Sequence, residues 1–195
     1  MKHKGQTKDK IISASWELFS RQGYDSTTID DIISLAGISR GTFYHHFSSK
    51  EELLFTMAHL FDESYESWET SLSSGMDARE KLLSFTRYSL GAVEFSPYKS
   101  FLAELYGMEV MTQFERFILN SSRYYYGITS RLITECKAAG YIDKSYSTEE
   151  LVKWYTMLKR GLTYNWLLMR HQFSLSEYGD TMVTFFLDGL KSKHP

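Results

Sequence analysis

Apolar residues recur at three- and four-residue spacing along nearly the whole chain, and no stretch alternates apolar with polar. In residues 7–22, Ile11, Ile12, Trp16, Leu18 and Phe19 keep that spacing, with Lys8, Asp9, Glu17 and Arg21 between them. Gly23 then supplies a C-terminal stop. Thr27 and Thr28 precede TIDDII, a short helix with Asp30 and Asp31 in its first turn, where the helix dipole favours acids. Gly37 ends it, and Ser39 is placed to cap a third helix, RGTFYHHF. Ser48 or Ser49 opens a fourth, apolar at Leu53, Leu54, Met57, Leu60 and Phe61 and running towards Trp68. LSSGMDA, around Gly75, reads as a linker. Beyond it the spacing predicts helices over 78–95 (closed by Ser96-Pro97), 98–107, 112–140, 148–171 and from Ser174 or Ser176 to about Leu190. The chain is therefore expected to be all-α, with about nine helices and no internal repeat.

Composition narrows this picture without redirecting it. At 195 residues, 43% hydrophobic and 24% charged, the chain fits one large domain or two small ones. Its 16% aromatic content excludes a disordered chain. A single Cys excludes an intrachain disulfide and a four-Cys zinc site. Only two prolines, Pro97 and Pro195, interrupt the helical pattern. The opening MKHKGQTKDK is polar and basic, no signal-like apolar run follows, and nothing approaches the roughly 18 apolar residues of a membrane span. The expected compartment is the cytoplasm. Net charge is −2; residues 1–50 hold seven Lys and Arg against five Asp and Glu, and the rest fifteen against nineteen. That asymmetry is too small to decide on a nucleic-acid partner.

The informative segment is TIDDIISLAGISRGTFYHHF, residues 28–47. Two short helices about a glycine turn within some twenty residues have helix-turn-helix spacing. Ile29, Ile32, Ile38 and Phe43 can bury the angle between the helices, Ala36 allows close approach, and Gly37 can take positive φ. The second helix then presents Ser39, Arg40, Thr42 and His45 outward, where base edges and phosphates can be read. Adjacent His45 and His46 point about 100° apart on a helix, so they are expected to serve phosphate contact and packing rather than a metal. Cys136 has no His partner at ligand spacing and reads as a bystander.

Residues 7–55 as a whole resemble the amino-terminal domain of the TetR family of bacterial transcriptional repressors. The resemblance rests on Ala14, Leu18, Phe19, Gly23-Tyr24, Thr27-Thr28, Ile29, Ile32, Ala36-Gly37-Ile38-Ser39, Gly41-Thr42-Phe43-Tyr44, His46-Phe47, Lys50-Glu51 and Leu53-Leu54. It implies a three-helix DNA-binding domain over residues 1–60 and a helical ligand-binding and dimerisation domain over 61–195. It also implies that Ser39, Arg40, Gly41 and Thr42 lie nearest the base edges. Arg40 is the candidate for guanine O6 and N7, and Gly41 lets the backbone approach DNA. Tyr44, His45, Thr28 and Lys50 would hold phosphates and set the register. Ile33 departs from the alanine usual at that position, which bears on the angle between the first two helices.

The helix at 148–171 carries Leu151, Trp154, Tyr155, Leu158, Leu162 and Trp166 on one stripe, with Val152, Met157, Tyr164, Leu167 and Leu168 elsewhere around it. A helix apolar nearly all round is buried on two sides. Together with the last helix it predicts a four-helix interface between two copies, through Leu158, Leu162, Met182, Phe186, Leu187 and Leu190; the family resemblance implies the same homodimer. The Tyr-, Phe- and Met-rich stretch from 78 to 140 suggests an apolar cavity with tyrosine handles. Its candidate lining is Phe85, Tyr88, Phe101, Met108, Phe117 and Tyr125, with Trp154 and Met157 from the later helix. Glu104 and Glu109, if turned inward, would favour a cationic ligand. The expected protein is a non-enzymatic, ligand-responsive repressor that binds double-stranded operator DNA and leaves it when an apolar or amphipathic effector binds. No cofactor, metal or membrane partner is expected. A protein-binding adaptor of the same fold is the alternative; an all-α enzyme lacks support, since HExxH, GxSxG and a phosphate-cradling glycine loop are all missing.

Overall fold

The computed structural model describes residues 3–73, 75–111 and 116–191. Among them are α1 (His3–Gln22), α2 (Ile29–Ala36), α3 (Arg40–His46), α4 (Lys50–Thr70), α5 (Ala78–Glu94), α6 (Leu102–Met111), α7 (Tyr124–Ala138), α8 (Thr148–Leu168) and α9 (Leu175–Gly189). Two 3-10 turns, Lys99–Phe101 and Phe117–Leu119, complete the described secondary structure, which contains no strand. None of these helices is long and apolar enough to cross a membrane.

Local chemistry sets the short helices. The Thr28 side chain accepts from the Asp31 N–H at 3.1 Å while the Asp31 carboxylate accepts from the Thr28 N–H at 2.8 Å, a reciprocal cap in which Asp takes the usual Glu place. Those bonds, backbone first, hold the Asp31 carboxyl below the usual range. Gly37 closes α2 at φ 64°, and the Ile38 and Gly37 N–H groups return to the Ile33 and Ser34 carbonyls. Ser39 caps α3 through its hydroxyl, which accepts from Thr42 N–H at 3.1 Å. Ser48 donates both its N–H and its hydroxyl to Glu52, stabilising the first turn of α4.

Two apolar clusters form the core. The first holds Ile11, Trp16, Phe19, Ile32, Phe43 and Leu53 of the first four helices and continues without a break into Leu90, Phe101, Leu102, Leu105, Trp166 and Leu175. Ile33 packs against it half-buried. The Trp16 indole N–H donates to Thr56 at 3.1 Å, tying α1 to α4. The second cluster joins Trp68, Phe85, Ile128, Leu132, Tyr155, Val183 and Leu187. Here α5 packs most extensively on α9, and Gly179 makes the approach possible: a Cβ there would stand 2.0 Å from Leu90 Cδ1. α4 runs unbroken through residue 60, so the two expected domains share a helix.

Several helix boundaries differ from the sequence expectation. The helix expected over 112–140 begins only at Tyr124, and residues 112–115 of that expectation lie outside the described residues. Asn120 Oδ1 accepts from both the N–H and the hydroxyl of Ser122, a local turn that competes with helical bonding. The helix expected at 98–107 is displaced to Leu102–Met111 behind a 3-10 turn. α8 stops at Leu168 because Arg170 and His171 take φ of 51° and 63°, returning their N–H groups to Leu167 and Trp166. Cys136 is a core residue: it is fully buried, its Sγ–H donates to the Ala78 carbonyl at 3.2 Å, and burial pushes the thiol up to about 12.

Candidate nucleic-acid interface and candidate ligand cavity

Buried Ile32, Phe43 and Phe47 anchor α2 and α3, so the opposite side of α3 faces out. Ser39, Arg40, Gly41, Tyr44 and His45 are exposed there and Thr42 is half-buried. The Arg40 guanidinium pairs with Asp30 across the turn, both side chains lying mostly in solvent. Such a pair is worth little in water, so the guanidinium can be exchanged to another acceptor at small cost. A Cβ at Gly41 would meet only Ser39 Oγ, at 3.9 Å. No packing inside the chain requires that glycine, and the space it leaves is outside. The His45 and His46 rings stand 5.1 Å apart and nearly perpendicular.

Lys50 and Thr28, like Ser39 in its cap and Arg40 with Asp30, make bonds within the chain. The Lys50 ammonium donates to the Tyr24 carbonyl at 2.8 Å and the Thr27 carbonyl at 2.9 Å, and lies 4.1 Å above the Tyr24 ring. Two of its three N–H groups thus hold the α1–α2 loop onto α4, where the sequence reading placed a phosphate contact. Thr28 remains exposed at the start of α2, but its hydroxyl is committed to Asp31 in the cap.

A cavity of about 110 Å³ lies among α4, α5, α6, α7 and α8. Its apolar wall includes Phe61, Leu90, Leu102 and Leu105, and its polar wall includes Ser89, Tyr106, Arg123, Lys159 and Arg160. Of the expected lining, Tyr125 faces this space. Phe85 lies just behind it, fully buried, with its ring 5.1 Å from Lys159 Nζ. Four expected residues lie elsewhere. Phe101 packs in the first cluster, 6.0 Å from Phe19 and 6.2 Å from Trp16. Tyr88 is partly exposed against Trp68, its hydroxyl on the Ser64 carbonyl. Trp154 and Met157 point away from the core. The side chains of Met108 and Phe117 lie outside the described residues. Glu104 is exposed; Glu109 is buried with Oε1 accepting from the Ile118 N–H, and neither lines the cavity.

The residues that sequence reasoning missed here are cations. Lys159 is only 5% exposed; its amine bonds the Ser89 hydroxyl and sits 5.0–5.3 Å from the rings of Phe85, Tyr125 and Tyr155. Burial pulls that amine down from 10.5 to about 7. Its signal was present: Lys159 stands four residues after Tyr155 and seven before Trp166, on the buried stripe of α8. Arg123 forms a two-pronged pair with Asp62 at 2.9 and 3.0 Å, nearly buried, joining the start of α7 to α4. Burial raises the Tyr65, Tyr125, Tyr155 and Tyr106 phenols above their usual range.

On the outer side, Trp154, Met157, Gly161, Tyr164 and Leu168 form one exposed stripe along α8, and Tyr178, Met182 and Phe185 another along α9. The expected interface residues distribute differently. Met182 is on the exposed stripe; Leu158, Leu162 and Phe186 are half-buried against their own chain. Leu187 and Leu190 are buried in the second cluster, which corrects their assignment. Two residues along α9, from Leu187 to Phe185, turn the helix by about 200°, enough to exchange the faces.

Comparison with known proteins follows the same division. Residues 11–57 match the family model described as bacterial regulatory proteins, tetR family. The chain is 31% identical over 100 residues to the HTH-type transcriptional regulator QacR of Staphylococcus aureus, covering 51% of this chain and 53% of QacR. It is 26% identical over 168 residues to the uncharacterized HTH-type transcriptional regulator YerO of Bacillus subtilis, covering 83% of this chain and 55% of YerO. It thus spans about half the length of these curated relatives. Among solved structures, Thermus thermophilus FadR, a TetR family transcriptional repressor in complex with lauroyl-CoA, superposes with a TM-score of 0.80 at 20% identity, covering 96% of this chain and 97% of FadR. That likeness establishes the shared fold.

Proposed function

We propose that the chain, whose residues 11–57 match the family model of bacterial regulatory proteins, tetR family, is a dimeric transcriptional repressor that leaves its operator when a small apolar or amphipathic molecule occupies the cavity. Residues 1–60 act as the DNA-binding domain and 61–195 as the ligand and dimer domain, with α4 common to both. The protein works in the cytoplasm and has no catalytic role. The observation that carries this reading is the shared core. Leu90, Leu102 and Leu105 line the cavity and belong to the same cluster as Trp16, Ile32 and Phe43, which position α3. A packed core is bistable rather than continuously deformable, so a ligand that repacks these leucines moves the recognition helices. It does so only to the extent that it prefers one arrangement; about 2 kcal/mol of preference changes operator affinity roughly thirtyfold.

On DNA, Arg40 exchanges Asp30 for a base edge, with Ser39, Gly41 and Thr42 beside it, while Tyr44 and His45 meet phosphates. The exposed stripes of α8 and α9 supply the two-fold interface, as a four-helix contact. FadR, solved with lauroyl-CoA, is one protein of this fold whose ligand is amphipathic. The test is a gel shift with the DNA upstream of the chain's own coding region, read at several salt concentrations. Specific, salt-dependent binding is expected, and Arg40→Ala weakens it by about 1–3 kcal/mol while relaxing one base preference per half-site. Unchanged operator preference in Arg40→Ala would refute the base-reading role.

A further inference from the structure

We propose that the effector is an amphipathic anion, a small carboxylate whose acid group is held by Lys159 and Arg160 and whose apolar part lies against Phe61, Leu90 and Leu105. This rests on the ligand-responsive reading above and names the ligand class for its cavity. Three observations carry it. First, the described lining contains Arg123, Lys159 and Arg160 and no carboxylate. Second, among the described residues only Arg123 of these three has its charge answered, by Asp62. Among the described residues Lys159 makes no ion pair, its partners being the Ser89 hydroxyl and three ring faces. Among the described residues Arg160 also makes no ion pair, and its guanidinium donates to the Tyr126 hydroxyl at 3.4 Å. A buried cation without a counter-ion is an unfavourable arrangement, and a bound carboxylate supplies the missing charge. Third, the apolar wall faces the cations across a space of about 110 Å³. That is below the ~150 Å³ of a cavity known to hold benzene, so a carboxylate with an alkyl tail must widen the space as it binds. A cationic ligand would meet the unanswered charges of Lys159 and Arg160, and a neutral one would leave the amine as it is.

The pH response follows from the groups around the amine. Ser89 on α5 does not titrate, and the Tyr65, Tyr106, Tyr125 and Tyr155 phenols of α4, α6, α7 and α8 are raised by burial and stay neutral. Asp62 and Arg123 face each other as a pair, and arginine does not lose its proton in this range. Lys159 is therefore the group that titrates, its amine lowered to about 7, so that above pH 7 its protonated fraction falls about tenfold per unit. Anion binding requires the protonated amine, so affinity falls as the pH rises.

The experiment is calorimetric titration of the full chain with octanoate, 1-octanol and octylamine. Octanoate is expected to bind at least tenfold tighter than 1-octanol, with octylamine weakest. Its affinity should fall towards tenfold per pH unit between pH 7.5 and 9. Lys159→Met should bring octanoate down to the level of 1-octanol. The wild-type pH series stands on its own if that variant misfolds. Equal binding of the alcohol or amine, a flat pH profile, unaltered octanoate binding in a folded Lys159→Met, or no octanoate binding at millimolar concentration would each overturn the proposal. Adding the same ligands to the gel shift separates the two readings. Octanoate that binds without releasing DNA sinks the regulatory reading and leaves the anion site. Release by the amine or the alcohol and not by octanoate does the reverse.

Discussion

Replacing Lys159 by Met keeps an unbranched side chain in the core of the second domain and removes one buried amine. In the folded chain that amine is lowered from 10.5 to about 7 by burial, whereas in the unfolded chain it regains its ordinary value. At pH 7 the wild type must therefore lose or desolvate a proton on folding, a penalty of about 4 kcal/mol at 1.36 kcal/mol per unit. Met carries no such penalty but gives up the bond to Ser89. That hydroxyl still donates to the Phe85 carbonyl at 2.6 Å, so the loss is about 1 kcal/mol. The variant is expected to be more stable than the wild type by about 3 kcal/mol at pH 7. The sign with pH is opposite to that of a salt-bridged lysine. Below about pH 7 both states hold the proton and the penalty is complete. From about 7 to about 10.5 the unfolded chain keeps a proton that the folded chain has released, and wild-type stability rises by about 1.4 kcal/mol per unit. The advantage of Lys159→Met should therefore narrow steadily with rising pH. Urea unfolding followed by far-UV circular dichroism at pH 7, 8 and 9, at one protein concentration because a dimer's stability depends on it, measures this. A difference that does not change with pH, or a wild type more stable at pH 7, would show that the amine is solvated and the reasoning wrong.

Lys50→Ala should lower stability by about 1–3 kcal/mol through loss of the bonds to the Tyr24 and Thr27 carbonyls. Thermal unfolding reads this, and the salt slope of DNA binding should stay the same; unchanged stability with a slope lower by about one would restore the phosphate role. Phe185→Arg, at a side chain 67% exposed in the single chain, should give a folded monomer at micromolar concentration by sedimentation. Leu187→Arg, fully buried, should unfold the chain instead, and a Phe185→Arg dimer would exclude the α8–α9 stripes as the interface. Gly179→Val should cost about 2 kcal/mol in urea unfolding, because the new side chain collides with Leu90 and Thr86 between α5 and α9. Wild-type stability in that variant would mean the two helices are less tightly packed than described.

What the residues determined unaided is what near neighbours decide. The caps at Thr28 and Ser39 and the turn at Gly37 depend on bonds spanning three to five residues, and each formed at its expected place. The helical period of α8, apolar on two sides, was equally legible. The local signal failed at Asn120, where a side chain competes with the helix for the same N–H group, and at Arg170 and His171, where the chain turns left-handed. Sequence alone left open what each face of a helix meets. Lys50 reads as a first-turn lysine until folding places two loop carbonyls, from Tyr24 and Thr27, under its ammonium. Lys159 reads as a polar interruption of a stripe until α5 and α7 enclose it with rings and a hydroxyl. Phe185 and Leu187 are both apolar and two residues apart, yet α5 and α8, which pack on α9, cover one and leave the other bare. Those choices belong to segments tens of residues distant, whose approach is settled by the packing of the whole core and by no period within a single helix.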